Sequence, residues 1–397
     1  MFATRYLEKN KNSACIKKSP HTNTGIIIVI PCLCEPDVIY TLESVYSCDT
    51  PSCHVEIILL INHSRTASAE VKNINQRSKY NILRWILKNK KDKVDFFVAG
   101  PVELTPKWAG AGLARKKGMD EAVRRFNILE RPEGIIISLD ADTVVEKNYL
   151  QAIEDHFVEN TAEVGATIAV KHQTRGLSDK HLEGIRLYEK YMYYYKNALR
   201  FTGYPFPMFT VGSAFAVRAG AYVMRGGMNR RKAGEDFYFL QNLVHIGNVG
   251  EIKNTTVHPS ARLSERVPFG TGPIMKKWMN DEKDLNKTYN FRAFENLREL
   301  FAGKDQLFKI SDGKYKIFLE GLPEPIARFL KEDDFREKIN DLNSNCSKLP
   351  TFHFRFFQKF NTFKILKFLN FAHKYYYEEA DLNEQINLLN RKKFISL

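Results

Sequence analysis

The stretch Gly134-Ile135-Ile136-Ile137-Ser138-Leu139-Asp140-Ala141-Asp142-Thr143 decides how this chain is read. Its short, unbroken apolar run suits a strand buried on both faces, as in a parallel sheet. The two carboxylates, one residue apart, then fall at the strand's carboxyl end, where open α/β sheets place their ligands. Carboxylate oxygens there can hold a hard divalent cation, and the cation can hold a diphosphate. Asp-x-Asp also fits a plain strand-ending turn, so the flanking sequence has to choose.

Upstream, β-like runs alternate with helical patterns. Residues 25–31 and 55–61 read as strands, the second ending at Asn62-His63-Ser64, and 94–99 as a third. Helices are expected over 36–46, 68–88, 108–126 and 147–157, which makes a mostly parallel α/β layer. Downstream the pattern changes. Residues 164–170 and 211–217 are β-like, and a helix over 182–200 carries Tyr188, Tyr191, Tyr193, Tyr194 and Tyr195. Aromatics at that spacing suit a core, or a stacking surface for a sugar or lipid acceptor. Gly234-Glu235-Asp236 opens a helix that stops at Gly247, and beyond about 276 the pattern is helical and charged.

Composition narrows the class. A chain of 397 residues with 44% hydrophobic and 27% charged residues matches a globular protein. Its net charge of +14 implies an anionic partner: nucleotide diphosphates, phospholipid headgroups or nucleic acid. No apolar run reaches the roughly 18 residues of a membrane span, and the N-terminus lacks the apolar stretch of a signal peptide. A cytoplasmic location is expected. Six cysteines make no disulfide framework, and Cys32, Cys34, Cys48, Cys53 and His54 match no common zinc spacing. Gly110-Ala111-Gly112 lacks the third glycine and the preceding strand of a dinucleotide site, and no P-loop, nucleophile elbow or zinc-protease motif is present.

Four landmarks follow one another in a telling order: Val29-Ile30-Pro31 with Glu35; Gly112-Leu113-Ala114-Arg115 through Gly118 and Ala122; Asp140-Ala141-Asp142; and Gly226-Gly227 followed by Gly234-Glu235-Asp236. Over residues 24–270 they resemble glycosyltransferase family 2. The resemblance implies an α/β GT-A fold, a Rossmann-like, mostly parallel sheet flanked by helices, here with a helical C-terminal extension. It divides the chain into a basic N-terminal segment (1–24), a catalytic domain (25–275) and a helical C-terminal region (276–397). Within the catalytic domain, 25–143 would be the nucleotide-binding half and 144–275 the acceptor half. The implied reaction is metal-dependent transfer from a nucleotide-diphosphate sugar, UDP-sugar favoured, to a glycan or lipid-linked acceptor, as in polysaccharide biosynthesis. Two positions depart from the family pattern. Cys34 stands where Asn is usual, and Asn62-His63 where the family has an Asp pair that accepts the N3–H of uracil. The Asn62 amide oxygen can still accept that proton.

The resemblance also assigns roles. Pro31, Glu35, Asn62, Arg115 and Asp140 would line the donor pocket. Asp142 would carry Mn²⁺ or Mg²⁺, with Asp140 reaching the ribose or a metal-bound water and His258 as a late imidazole ligand. A surface histidine is the alternative for His258. Asp236, beside Glu235, would be the general base of an inverting transfer; otherwise the two acids simply favour a helix N-terminus. Arg262 and Arg266, before Phe269-Gly270-Thr271-Gly272, suit a lid on the diphosphate or a solvated basic turn. The Phe- and Lys-rich stretch 352–374 suits peripheral contact with an anionic membrane, or a helix packed by its apolar face. Three rivals remain: a retaining transferase, which needs no base at Asp236; a sugar-phosphate nucleotidyltransferase, which wants a glycine-rich loop after the first strand; and a nucleic-acid-binding protein, for which no recognition motif is present.

Overall fold

The structure is a computed structural model that describes residues 1–10, 14–232, 234–264 and 270–395, with side chains through 392. The chain divides into two compact units, Met1–Leu177 with Thr210–Lys276, and Ser178–Phe209 with Lys277–Leu397.

The first unit is built on one eight-stranded sheet. Its strands are β1 (Thr24–Cys32), β2 (His54–Ser64), β3 (Val94–Leu104), β4 (Ile135–Ser138), β5 (Val144–Val145), β6 (Glu163–Val170), β7 (Phe215–Arg218) and β8 (Asn248–His258), in the order β3-β2-β1-β4-β7-β6-β8-β5. Pairs among β3, β2, β1 and β4 are parallel, as is β6 with β8, whereas β7 runs antiparallel to β4 and β6. Helices α1 (Thr4–Asn10), α2 (Val38–Tyr46), α3 (Ala69–Lys88), α4 (Ala111–Ile128) and α5 (Tyr149–Glu159) alternate with the early strands. After α6 (Asp179–Phe201), which belongs to the second unit, α7 (Ala219–Met224) and α8 (Glu235–Leu243) complete the sheet's cover. The expected α/β architecture, a largely parallel sheet flanked by helices with a helical C-terminal region, is the observed one.

Ile26 to Ile30 are wholly buried, which is why this strand is a continuous apolar run rather than an alternating one. α4 lies directly on β1: a Cβ on Gly118 would come within 2.3 Å of a Val29 methyl. Parallel register sets Val29 beside Ser138 and Pro31 beside Leu60, so the carboxyl ends of β1, β2 and β4 meet at one edge. Of the expected strand 211–217 only 215–217 lies in β7, which runs on to Arg218, because residues 211–214 turn to bring the Gly212 carbonyl onto Ser138.

The N-terminal residues were expected as a separate basic segment. Instead α1 belongs to the first unit and packs on α4. Tyr6 donates to Asp120 at 2.6 Å, Lys116 donates to the Tyr6 hydroxyl at 2.8 Å, and Asn127 accepts from the Ala3 amide at 2.8 Å.

The second unit is helical. It contains α6 and, after α9 (Thr271–Met279) has led the chain into it, α10 (Phe291–Ala302), α11 (Asp312–Glu320), α12 (Glu324–Glu332), α13 (Phe335–Asn345), α14 (Leu349–Lys359), α15 (Thr362–Tyr375) and α16 (Leu382–Ile395). Residues 178–209, expected within the acceptor half of the catalytic domain, cluster here because the aromatic side of α6 has its partners here. Tyr188 and Tyr191 meet Phe209, and Tyr194 and Tyr195 meet Phe294. The core reading of that tyrosine cluster therefore prevails. The same holds for the Phe-rich stretch. Phe352, Phe356, Phe357, Phe360 and Phe368 are buried against Phe301, Phe329, Phe335 and Tyr204. Each such burial stabilises the unit by about 1.5–3 kcal/mol, so these phenylalanines are already used internally. Among the described residues no helix is long and apolar enough to cross a bilayer.

Candidate active site at the carboxyl edge of the sheet

β4 stops at Ser138, and the turn that follows carries Asp140 and Asp142. Its backbone is fixed from two sides. Thr41 on α2 donates to the Ala141 carbonyl at 2.9 Å, and Gln173 donates to the Asp142 and His258 carbonyls at 2.9 and 2.7 Å.

Arg115, on the first turns of α4, is buried and fully engaged. It donates to Asp140 at 2.9 Å, to Glu235 at 3.0 Å and to the Ser138 hydroxyl, which in turn donates to the Gly212 carbonyl at 2.6 Å. Burial works against its charge, but Asp140, Glu235 and Asp236 outweigh burial and move its pKa upward. The landmark glycines make this approach possible: a Cβ on Gly112 would lie 2.1 Å from the Arg231 carbonyl and 3.0 Å from the Glu235 Cβ. Gly227 likewise packs on α1, where a Cβ would meet the Tyr6 hydroxyl at 2.0 Å.

A second guanidinium bridges the other acids. Arg262, in the irregular segment after β8, grips both oxygens of Glu35, one at 2.6 Å, and reaches Asp142 at 2.8 Å. Burial, together with repulsion from Asp140 and Glu35, pushes the Asp142 carboxyl up to about 6 in spite of Arg262.

Glu235 and Asp236 open α8 and differ in their partners. Glu235 is held by Arg115, whereas no side chain among the described residues donates to Asp236. Burial raises the pKa of both; Arg115 pulls both downward.

On the β2 side, the Asn62 amide nitrogen donates to the Cys32 and Leu60 carbonyls at 3.1 and 3.3 Å, which leaves its oxygen without a donor among the described residues. Pro31, Glu35, Asn62, Arg115, Asp140, Asp142, Glu235, Asp236 and Arg262 thus gather along the same edge of the sheet. His258 is adjacent but turned aside. Its Nδ1 lies 2.8 Å from the Lys171 carbonyl and its Nε2 lies 3.4 Å from Glu146. Arg266 lies outside the described residues.

Five carboxylates (Glu35, Asp140, Asp142, Glu235, Asp236) share two guanidiniums, and this surplus of negative charge and oxygen donors fits a hard divalent cation. Among the described residues no three His, Cys, Asp or Glu side chains form a ready metal cage. The protein would therefore supply one or two oxygens, leaving the rest to water and diphosphate, as Mg²⁺ commonly accepts.

The sequence reading assigned no role to Ser138, Gly212, Gln173 or Asn75. For Asn75 a signal existed: it falls with Ser78 and Ile82 on the buried stripe of α3, where a polar side chain must find partners.

No protein-family profile matches the chain, and no curated protein matches it by sequence. Solved structures with a similar outline include residues 1–349 of S. aureus TarS in complex with UDP-GlcNAc, at 13% identity and a TM-score of 0.41, covering 79% of this chain and 89% of that one. The same TarS portion in complex with UDP gives 14% identity and a TM-score of 0.38, with 75% of each chain covered. Similarity this weak assigns neither a donor nor an activity to this chain.

Proposed function

We propose that this chain is a metal-dependent glycosyltransferase of the GT-A type, moving a sugar from a nucleoside diphosphate, UDP favoured, to a hydroxyl of a glycan or lipid-linked acceptor with inversion. One observation carries the reading. Arg115 joins Asp140, on the strand-end turn, to Glu235, at the head of α8, so the two acidic landmarks form a single site 95 residues apart in sequence. That pairing holds Glu235 and leaves Asp236 as the carboxylate to which no side chain among the described residues donates.

In this reading Asp236 accepts the proton of the acceptor hydroxyl while that oxygen bonds to the anomeric carbon. The bond from this carbon to the diphosphate oxygen breaks on the opposite face. Burial raises the affinity of Asp236 for a proton, which suits a general base. Asp142, assisted by Asp140, would hold Mn²⁺ or Mg²⁺, which when bound offsets charge on the departing diphosphate. Arg262 adds a fork suited to phosphate oxygens, and Glu35 orients it. The amide oxygen of Asn62 is free to accept a base N–H.

Titration calorimetry with UDP, with and without Mn²⁺, tests the donor site, and incubation with a panel of UDP-sugars followed by assay for slow hydrolysis tests the chemistry. Mn²⁺-dependent binding and hydrolysis of one donor are expected. Failure of every nucleoside diphosphate to bind with either metal overturns the proposal.

A further inference from the structure

Asn75 sits on α3, wholly buried, and every hydrogen-bonding group of its amide is used. Its oxygen accepts from the Cys34 amide at 2.9 Å; its nitrogen donates to the Asn62 carbonyl at 2.9 Å and to His63 Nδ1 at 3.1 Å. The amide orientation is unambiguous, because Cys34 offers only an N–H and Asn62 only a carbonyl at those contacts. It follows that His63 carries its proton on Nε2, which lies 3.9 Å from Glu103.

These bonds tie together two segments: the turn after β1 and the last residues of β2. The turn needs a tie. Cys34 adopts φ of +48°, a left-handed conformation that costs a non-glycine residue on the order of 1 kcal/mol. Asn62 stands in β2, and its amide nitrogen is committed to the Cys32 carbonyl at the end of β1 and to Leu60 of its own strand. As long as Cys32 stays in place, Asn62 can offer only its oxygen. If the Asn75 bond to the Asn62 carbonyl is lost, Asn62 can shift off the Cys32 carbonyl and its amide can turn over to offer N–H instead.

We infer that Asn75 is a positioning residue for base selection: by holding the Cys34 turn to the end of β2, it locks Asn62 as an acceptor and so favours a base that presents a ring N–H, such as uracil, over cytosine, whose N3 is an acceptor. The inference rests on the nucleotide-sugar reading of the site and adds the residue that sets its base preference.

The test measures UDP and CDP affinities, both at saturating Mn²⁺, for wild type, Asn75→Ala, Asn62→Ala and the double variant. Diphosphate and metal contributions cancel in the UDP:CDP ratio. Wild type should favour UDP, and Asn75→Ala should lower that preference by about tenfold, the weight of one hydrogen bond to the base. In the Asn62→Ala background, Asn75→Ala should leave the ratio unchanged, because Asn75 acts through Asn62; a purely structural role would weaken both nucleotides alike. Should Asn75→Ala fail to give a cooperative melt, Asn75→Asp serves. It keeps an acceptor for Cys34 but cannot donate to Asn62, and the same loss of preference is expected. A wild type that binds neither nucleotide overturns the donor reading itself. A wild type that binds both without preference, or an Asn75 variant that keeps the wild-type ratio, overturns this inference alone.

Discussion

Two arginines hold the acidic edge of the sheet, and they do so in different surroundings. Arg115 projects from a rigid helix with its side chain 3% exposed, between Asp140 and Glu235. Arg262 projects from an irregular segment with its side chain 35% exposed, between Glu35 and Asp142. The chemistry is the same, a guanidinium shared by two carboxylates, but water reaches only one of them. A buried charge that loses its partner has no solvent to fall back on, while a half-exposed one does. Arg115 is therefore part of the framework, whereas in the proposed reading Arg262 trades a carboxylate for a phosphate.

The sharpest way to break that contrast is Arg115→Met. It strands the buried Glu235 without its guanidinium and unpairs the part-exposed Asp140, and stability should fall by about 3–5 kcal/mol, read from urea denaturation. A loss no larger than that of Arg262→Gln would place Arg115 in the same class as Arg262. Next comes Asp236→Asn, nearly isosteric and unable to take a proton. Turnover should drop roughly 10²–10⁴-fold while affinity for UDP with Mn²⁺ stays within a few-fold. Collapse of nucleotide binding in the variant would show that Asp236 holds the site together, as Arg115 does.

Arg262→Gln should cost less stability than Arg115→Met, because the guanidinium it removes is itself part-exposed, although Glu35 stays buried. Its effect should appear instead in UDP affinity, lowered by about tenfold, with uridine unaffected, as calorimetry can read. The smallest effect concerns pH. Folding raises the Asp142 carboxyl from 3.8 to about 6, so between those values the folded protein binds more protons than the unfolded chain. Stability from this group is therefore present at low pH and lost as pH rises through that window. In metal-free buffer, Asp142→Asn should flatten the melting temperature between about pH 4 and 6 relative to wild type. An identical slope in both proteins would mean that Asp142 is not the group responsible.

Much of the first unit could be read along the chain because its signals are local. An apolar run flanked by polar turns makes a buried strand wherever it occurs, and Asp140 and Asp142 follow such a run directly. What escaped was anything decided by a partner far away in sequence. Arg115 was assigned to the donor pocket, but its bond to Glu235, 120 residues on, shows in no pattern of spacing. The N-terminal helix seemed a loose basic segment because Tyr6 is one tyrosine among charges until Asp120 and Gly227 are brought to it.

The stretch 352–374 marks the boundary between the two kinds of knowledge. Sequence alone determined that its helices have one aromatic side and one basic side, since side-chain direction on a helix follows from a fixed 3.6-residue turn. Only the tertiary structure decided that Phe301, Phe329 and Phe335 pack against the aromatic side. The hydrophobic effect rewards removing apolar area from water but is indifferent to what replaces the water. The same division runs through the active edge. The residue order set carboxylates at the strand ends, because backbone periodicity is local. Which carboxylates Arg115 bridges, Asp140 and Glu235, was settled by a pairing that exists only after the chain has folded.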